Sequence, residues 1–192
     1  MEHLPVGDWV RELKAIEEPK FTVANVLKFC QAHGVDAATL DPFLHWDPCC
    51  YTRNLIFKCP LFEVMAICWD RGQISRIHNH RGQNCWMSVP IGKLKVQNFR
   101  VEVTDGAKHT CRMSPTDTYI MDPLNPGAVN PLEPVHQVLN LPEYNARAVS
   151  IHIYSLPYDC CEVYSADKGT YMDVPLFYTS EYGKVLATAK SS

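Results

Sequence analysis

Apolar positions fall at helical spacing in the first fifty residues and in short runs thereafter. Trp9, Leu13 and Ile16 stand at i, i+4 and i+7, the spacing of one buried helix face. Thr22 is a predicted N-cap for a second helix that buries Val23, Val26, Leu27 and Cys30, with Gly34 ending it in a left-handed cap. Asp36 is expected to cap a third, short turn that Pro42 stops. From about Tyr51 the pattern changes to strands, predicted at 62–69, 84–89, 93–103, 108–113, 118–121, 135–139, 149–154 and 172–179. Turn signals separate them, among them Asp70-Arg71-Gly72, Pro90-Ile91-Gly92 and Thr104-Asp105-Gly106. The expected fold is mainly β, a small antiparallel barrel or sandwich with an N-terminal helical layer. One domain over 1–192 is expected, with residues 1–45 packed as a helical prelude on a barrel of residues 51–183.

Composition narrows the function classes. The 192 residues are 46% hydrophobic and 20% charged, as for a compact globular chain. A net charge of -3 offers no broad basic surface, so nucleic acid is not expected as a partner. No apolar run approaches the roughly 20 residues that cross a bilayer, and Met-Glu-His-Leu-Pro lacks the basic start of a secretory signal. The nine cysteines include the pairs Cys49-Cys50 and Cys160-Cys161, but no Cys-x-x-Cys knuckle. Reduced thiols in a cytoplasmic protein, a monomer without a membrane partner, are the expectation.

Three of the eight histidines keep unusual company. His78-Asn79-His80 lies where a strand should leave the Gly72 turn, and residues i and i+2 of a strand share a face. His136 opens the predicted strand 135–139. Neutral imidazoles suit iron, zinc, copper or nickel, although a lone His-x-His is more often structural than ligating. The spacing Gly72, His78, His80, Cys85, Gly92 resembles the first motif of the cupins, with Cys85 where most cupins carry a ligating Glu. His136 followed by Asn140 resembles the end of the second motif, although Pro126-Gly127 is displaced from its usual place. Three neutral imidazoles leave a divalent metal at full charge, so such a site would take its negative ligand from the substrate. A thiolate is the natural candidate, since coordination deprotonates a thiol.

The stretches Tyr51-Thr52-Arg53-Asn54-Leu55, Met65-Ala66-Ile67-Cys68-Trp69, Ile77 to Cys85, Gly92-Lys93-Leu94-Lys95 and Ser150-Ile151-His152-Ile153-Tyr154-Ser155 are similar to the cysteine dioxygenase family, as is the tail from Phe177 to Gly183. The resemblance covers most of the chain from Tyr51. It implies a cupin barrel in which His78, His80 and His136 bind Fe(II) and Arg53, with Tyr51 beside it, receives the substrate carboxylate. Ser150, His152 and Tyr154 would form a hydrogen-bonded relay, their alternation placing them on one strand face. Cys85 corresponds to the cysteine that, in mammalian-type members, is joined to the tyrosine matched by Tyr154 as a thioether cofactor.

The implied reaction takes cysteine and O2 to the sulfinic acid, with Tyr154, His152, Ser150 and Cys85 as its catalytic residues. Alternatives are the same chemistry on 3-mercaptopropionate or a larger mercapto acid, and a non-catalytic cupin serving as sensor or scaffold. Arg53 favours cysteine, because relatives acting on 3-mercaptopropionate tend to carry Gln there. Three positions depart from the family pattern. Asn79 replaces an Asp between two ligands, Arg81 could add a cation at the pocket rim, and Leu156 stands where a proline allows a cis bond after Ser155.

Overall fold

Residues 1–129, 132 and 134–187 are described by a computed structural model of the chain. Strand β1 (Glu2–Leu4) leads into helix α1 (Val6–Lys14), and helix α2 (Val23–Ala32) runs directly into β2 (His33–Val35). α1 buries Trp9 and Leu13 on the face their spacing predicts, while Ile16 falls beyond the helix end. Thr22 caps α2, its Oγ1 accepting the Asn25 backbone N–H at 3.3 Å, a contact whose loss costs about 1 kcal/mol. Gly34 does not form the expected left-handed cap. It pairs with His3 in the parallel β1–β2 ladder, and a Cβ there would meet the His3 ring at 2.9 Å. Tertiary pairing overrides the helix-end signal. Asp36 caps its short turn through Ala38, but Pro42 sits inside a second 3-10 turn, Asp41–Phe43, instead of ending the first.

The strands are β3 (Thr52–Lys58), β4 (Glu63–Trp69), β5 (Ile77–His78), β6 (Asn84–Ile91), β7 (Leu94–Asp105), β8 (Thr110–Met121) and β9 (Gly127–Ala128). They continue with β10 (Val135–Leu139), β11 (Ala148–Ser155), β12 (Cys160–Ser165), β13 (Thr170–Pro175), β14 (Ser180–Glu181) and β15 (Lys184–Val185). Six close a barrel in the order β10-β5-β12-β13-β8-β7, and seven form a sheet in the order β15-β14-β3-β4-β11-β6-β9. The architecture is mainly β with a helical layer, as the patterning predicts. The segments predicted at 108–113 and 118–121 are one strand. Pro115 interrupts the pattern but is accommodated opposite Phe99, where the β7–β8 register shifts. The last long strand stops at Pro175, short of the expected Thr179. No helix among the described residues is long and apolar enough to cross a membrane.

Strand alternation decides what faces the site. Along β4, Val64, Ala66 and Cys68 pack outward against Val6, Trp9 and Leu13 of α1 and Val26 and Cys30 of α2. Met65, Ile67 and Trp69 face the opposite way, into the cluster that holds Cys85 and Tyr154. β11 repeats the division, with Val149, Ile151 and Ile153 beneath the helices. The helices thus cover the apolar face, and Ser150, His152 and Tyr154 are buried on the other side.

Gly92, between β6 and β7, has φ +74°, and a Cβ there would lie 2.6 Å from the Arg147 carbonyl oxygen. Gly92→Ala is expected to destabilise the protein by about 1–3 kcal/mol, from backbone strain and from that contact. Urea unfolding should show a lower midpoint at unchanged m-value, and an unchanged midpoint would refute the assignment.

Candidate metal and substrate site

His78 and His136 are direct cross-strand partners in the β5–β10 ladder, so the barrel register itself brings the two imidazoles together. β5 ends at His78, yet the Asn79 N–H still bonds the Glu162 carbonyl at 3.1 Å and extends the strand's course toward His80. The result approximates the same-face geometry predicted from His-x-His, although the regular strand is shorter than that argument assumed. Ring centroids lie 5.3 Å apart for His78 and His80, 4.7 Å for His78 and His136, and 4.9 Å for His80 and His136. One ligand atom from each falls within 4.8 Å of the others.

Hydrogen bonds prepare two of these rings. His78 Nδ1 donates to the Arg76 carbonyl at 2.9 Å and His136 Nδ1 to that of Pro134 at 3.3 Å. A carbonyl only accepts, so both tautomers are assigned by their partners and each ring keeps a bare Nε2. His80 is 1% exposed and neither of its ring nitrogens has a partner. Burial pushes the His78 pKa down to about 4, with Arg53 adding to the effect. Burial and the neighbouring imidazoles hold His80 and His136 well below the ordinary histidine value. All three are neutral near pH 7, the form that ligates. An orphaned, neutral, buried imidazole beside two preorganised ones fits a metal ion.

Beside the cluster opens a pocket of about 840 Å3, lined by Tyr51, Arg53, His78, Tyr158 and Cys161 together with Arg71 and Arg76. Arg53 is fixed on β3 by reciprocal bonds between its backbone and Thr179, and its buried Nε has no partner. Burial opposes the Arg53 charge, while Tyr154, Tyr158, Tyr51 and Glu63 favour it. Tyr51 stacks on Trp69 at 4.6 Å, which holds its ring at the pocket wall. Arg81 does not line this pocket as expected. It turns outward to pair with Asp173 at 3.0 Å and Glu162 at 3.8 Å. Asn79, neutral where the family pattern has an acid, donates to Glu162 at 2.6 Å, so a carboxylate stands one residue farther from the ligands.

The relay residues are joined. Ser150 Oγ lies 2.9 Å from His152 Nε2, and Tyr154 Oη 3.0 Å from His152 Nδ1. Trp69 Nε1 donates to Ser150 Oγ at 2.8 Å and anchors the far end. Burial drops the His152 pKa to about 3 and raises that of Tyr154, so both are neutral. Cys85 is the cross-strand partner of Tyr154, and its sulfur is 4.0 Å from His152 Nδ1. Burial pushes the Cys85 thiol up, so it stays protonated. Peptide bond Ser155–Leu156 is cis although its second residue is leucine, where the replacement of the family's proline was expected to remove the cis bond. Tyr158 went unnoticed in the sequence. It lies outside any strand, yet its ring stands 5.1 Å from Tyr154 and 6.0 Å from His80. No periodicity marks such a residue.

A closed β-barrel bearing three converging imidazoles beside an arginine-lined pocket belongs to the cupin class, with a site able to hold a metal ion. Within that class the chain belongs to the cysteine dioxygenase type I family, which matches residues 6–167. It is 29% identical to cysteine dioxygenase type 1 of Danio rerio, over 92% of this chain and 87% of that relative. Identity to cysteine dioxygenase type 1 of Homo sapiens is 26%, over 84% of this chain and 78% of that relative. Among solved structures it is similar to the protein TT1209 from Thermus thermophilus, with TM-score 0.45 and 15% identity over 61% of this chain and 93% of that one.

Proposed function

We propose that this protein is a non-haem Fe(II) dioxygenase that converts L-cysteine and O2 to cysteine sulfinic acid. The observation that carries the reading is a cluster of three neutral imidazoles, one of which, His78, lines the same pocket as Arg53, whose buried Nε has no partner. Fe(II) held by His78, His80 and His136 would supply thiol coordination and O2 activation. Arg53 binds the substrate carboxylate through its planar fork, beside Tyr51. The Ser150 hydroxyl accepts from Trp69 and donates to His152 Nε2, which leaves Nδ1–H to donate to the Tyr154 oxygen. The phenolic proton is thereby left free, a polar donor at a fixed place on a ring 5.2 Å from that of His80. Tyr158 narrows the space around His80 and Tyr154 and excludes water.

Arg71 and Arg76 line the same pocket and exceed what one carboxylate needs, which favours a larger mercapto acid as the second reading. Anaerobic iron reconstitution followed by a thiol panel tests both. Cysteine should yield the sulfinic acid, with both added oxygens from O2. Iron-loaded protein that oxidises no thiol would leave a metal-binding cupin without this activity.

The register of Cys85 against Tyr154 supports a second expected result, a thioether between the Cys85 sulfur and the ring carbon beside the Tyr154 hydroxyl. One hydrogen leaves the sulfur and one the ring carbon, with O2 as the oxidant. Turnover in air should reduce the protein mass accordingly and yield a peptide joining the two residues, absent in Cys85→Gly and Tyr154→Phe. Its absence after prolonged turnover of iron-loaded protein would exclude the cofactor but not the dioxygenase reading.

A further inference from the structure

The three imidazoles are not held alike. His78 and His136 lie in strands and are fixed through ring hydrogen bonds, whereas His80 has no ring partner and stands past the end of β5. Its aim is therefore set by the backbone on either side of it, and both flanking residues lead to Glu162 of β12. Asn79 Oδ1 accepts the backbone N–H groups of Glu162 and Arg81, each at 3.2 Å. Its Nδ2 donates to Glu162 Oε2 at 2.6 Å and to the Tyr164 hydroxyl at 3.2 Å. Two donors and two acceptor sites are all that a primary amide offers, so the group is fully used. The Asn79 N–H already bonds the Glu162 carbonyl. The side-chain oxygen thus stands in for a backbone carbonyl and carries the β5–β12 pairing one residue further. Beyond it Arg81 adopts φ +54°, and its guanidinium returns to Glu162 Oε1 at 3.8 Å.

We propose that Glu162 is the positioning residue of His80, the side chain that keeps the third imidazole in line with the other two. The inference rests on the metal centre of the reading above and not on its thiol chemistry. One carboxylate oxygen gathers Asn79 and the Tyr164 hydroxyl, which donates at 2.8 Å, while the other faces Arg81. His80 is thereby bracketed on both sides. Groups behind metal ligands orient them, usually by bonding the ring itself. Here the ring is bare, and orientation passes through the peptide instead. The two brackets are unequal. The bond to Asn79 is short, charge-assisted and partly buried, whereas the pair with Arg81 is long and its guanidinium side chain is 41% exposed. The Asn79 branch therefore carries the effect.

Titration of the full apo chain with Co(II), whose visible bands report ligand number and geometry, tests this without turnover. Glu162→Ala should weaken Co(II) binding by about 10–100-fold and alter those bands. The apo urea midpoint should move little, because the Glu162 side chain is 25% exposed. Glu162→Gln should retain most of the affinity, since an amide oxygen in the Oε2 position still accepts from Asn79 and Tyr164. Asn79→Ala should cost at least as much as Glu162→Ala, and combining the two should cost nothing more than Asn79→Ala alone. Unchanged Co(II) affinity in Glu162→Ala overturns the proposal. So does an equal loss in Glu162→Gln, full additivity of the pair, or a loss of affinity matched by an equal loss of apo stability. A wild-type chain that binds Co(II) but, loaded with iron, oxidises no thiol removes the dioxygenase reading, while the variant series still decides the role of Glu162. A wild-type chain that binds no Co(II) removes both.

Discussion

Arg53→Ala should collapse cysteine turnover while leaving oxidation of cysteamine, which lacks the carboxylate, little changed. The Arg53 guanidinium is buried at its Nε, which has no protein partner, and it faces the same pocket as His78. A carboxylate entering that pocket leaves water and meets one rigid cation able to engage both of its oxygens. Removing the cation strands a buried anion, at a cost of about 3–5 kcal/mol, or roughly two to four decades in kcat/KM. Arg53→Lys keeps the charge but loses the fork and should recover part of the activity. Parallel kinetics on the two thiols decide the matter. Equal losses on both would place Arg53 in the scaffold, and unchanged cysteine turnover would move the carboxylate to Arg71 or Arg76.

His80→Ala should abolish iron binding altogether, and His78→Ala and His136→Ala should do the same. His80 is the instructive case because neither ring nitrogen is engaged by the protein. A buried imidazole without partners carries a desolvation penalty of about 1–3 kcal/mol, which a metal bond would relieve. The apo protein should therefore tolerate His80→Ala with little loss of stability, even as metal content falls to background. Elemental analysis after anaerobic reconstitution, alongside apo-protein melting, separates the two effects. Stoichiometric iron in any of the three variants would remove that histidine from the ligand set.

Much of this arrangement is legible in the sequence where local chemistry and tertiary structure agree. Thr22 caps its helix because a hydroxyl ahead of an apolar run satisfies orphaned backbone N–H groups in any context. The strand at 135–139 appears with the expected bounds, paired with β7 along its whole length. Tertiary context hid other parts. Gly34 was drawn into a strand pairing that no local signal announces, and Pro115 was absorbed at an irregular register. β12, Cys160–Ser165, mixes cysteine, acid and aromatic residues without clean alternation, so only its pairing with β13 and β5 reveals it. That omission concealed the destination of Arg81, since Glu162 and Asp173 stand together only once β12 and β13 are paired.

β5 is only two residues long, yet it is the slat that joins β10 to β12 and so completes the barrel. Its ladder with β10 holds a single register pair, His78 with His136. A metal held by both rings would act as a rivet across a narrow seam of the wall. Loading and stripping of the site should then be felt as tightening and loosening of the whole hoop, with backbone amide exchange around the His78–His136 seam slowing first when the metal arrives.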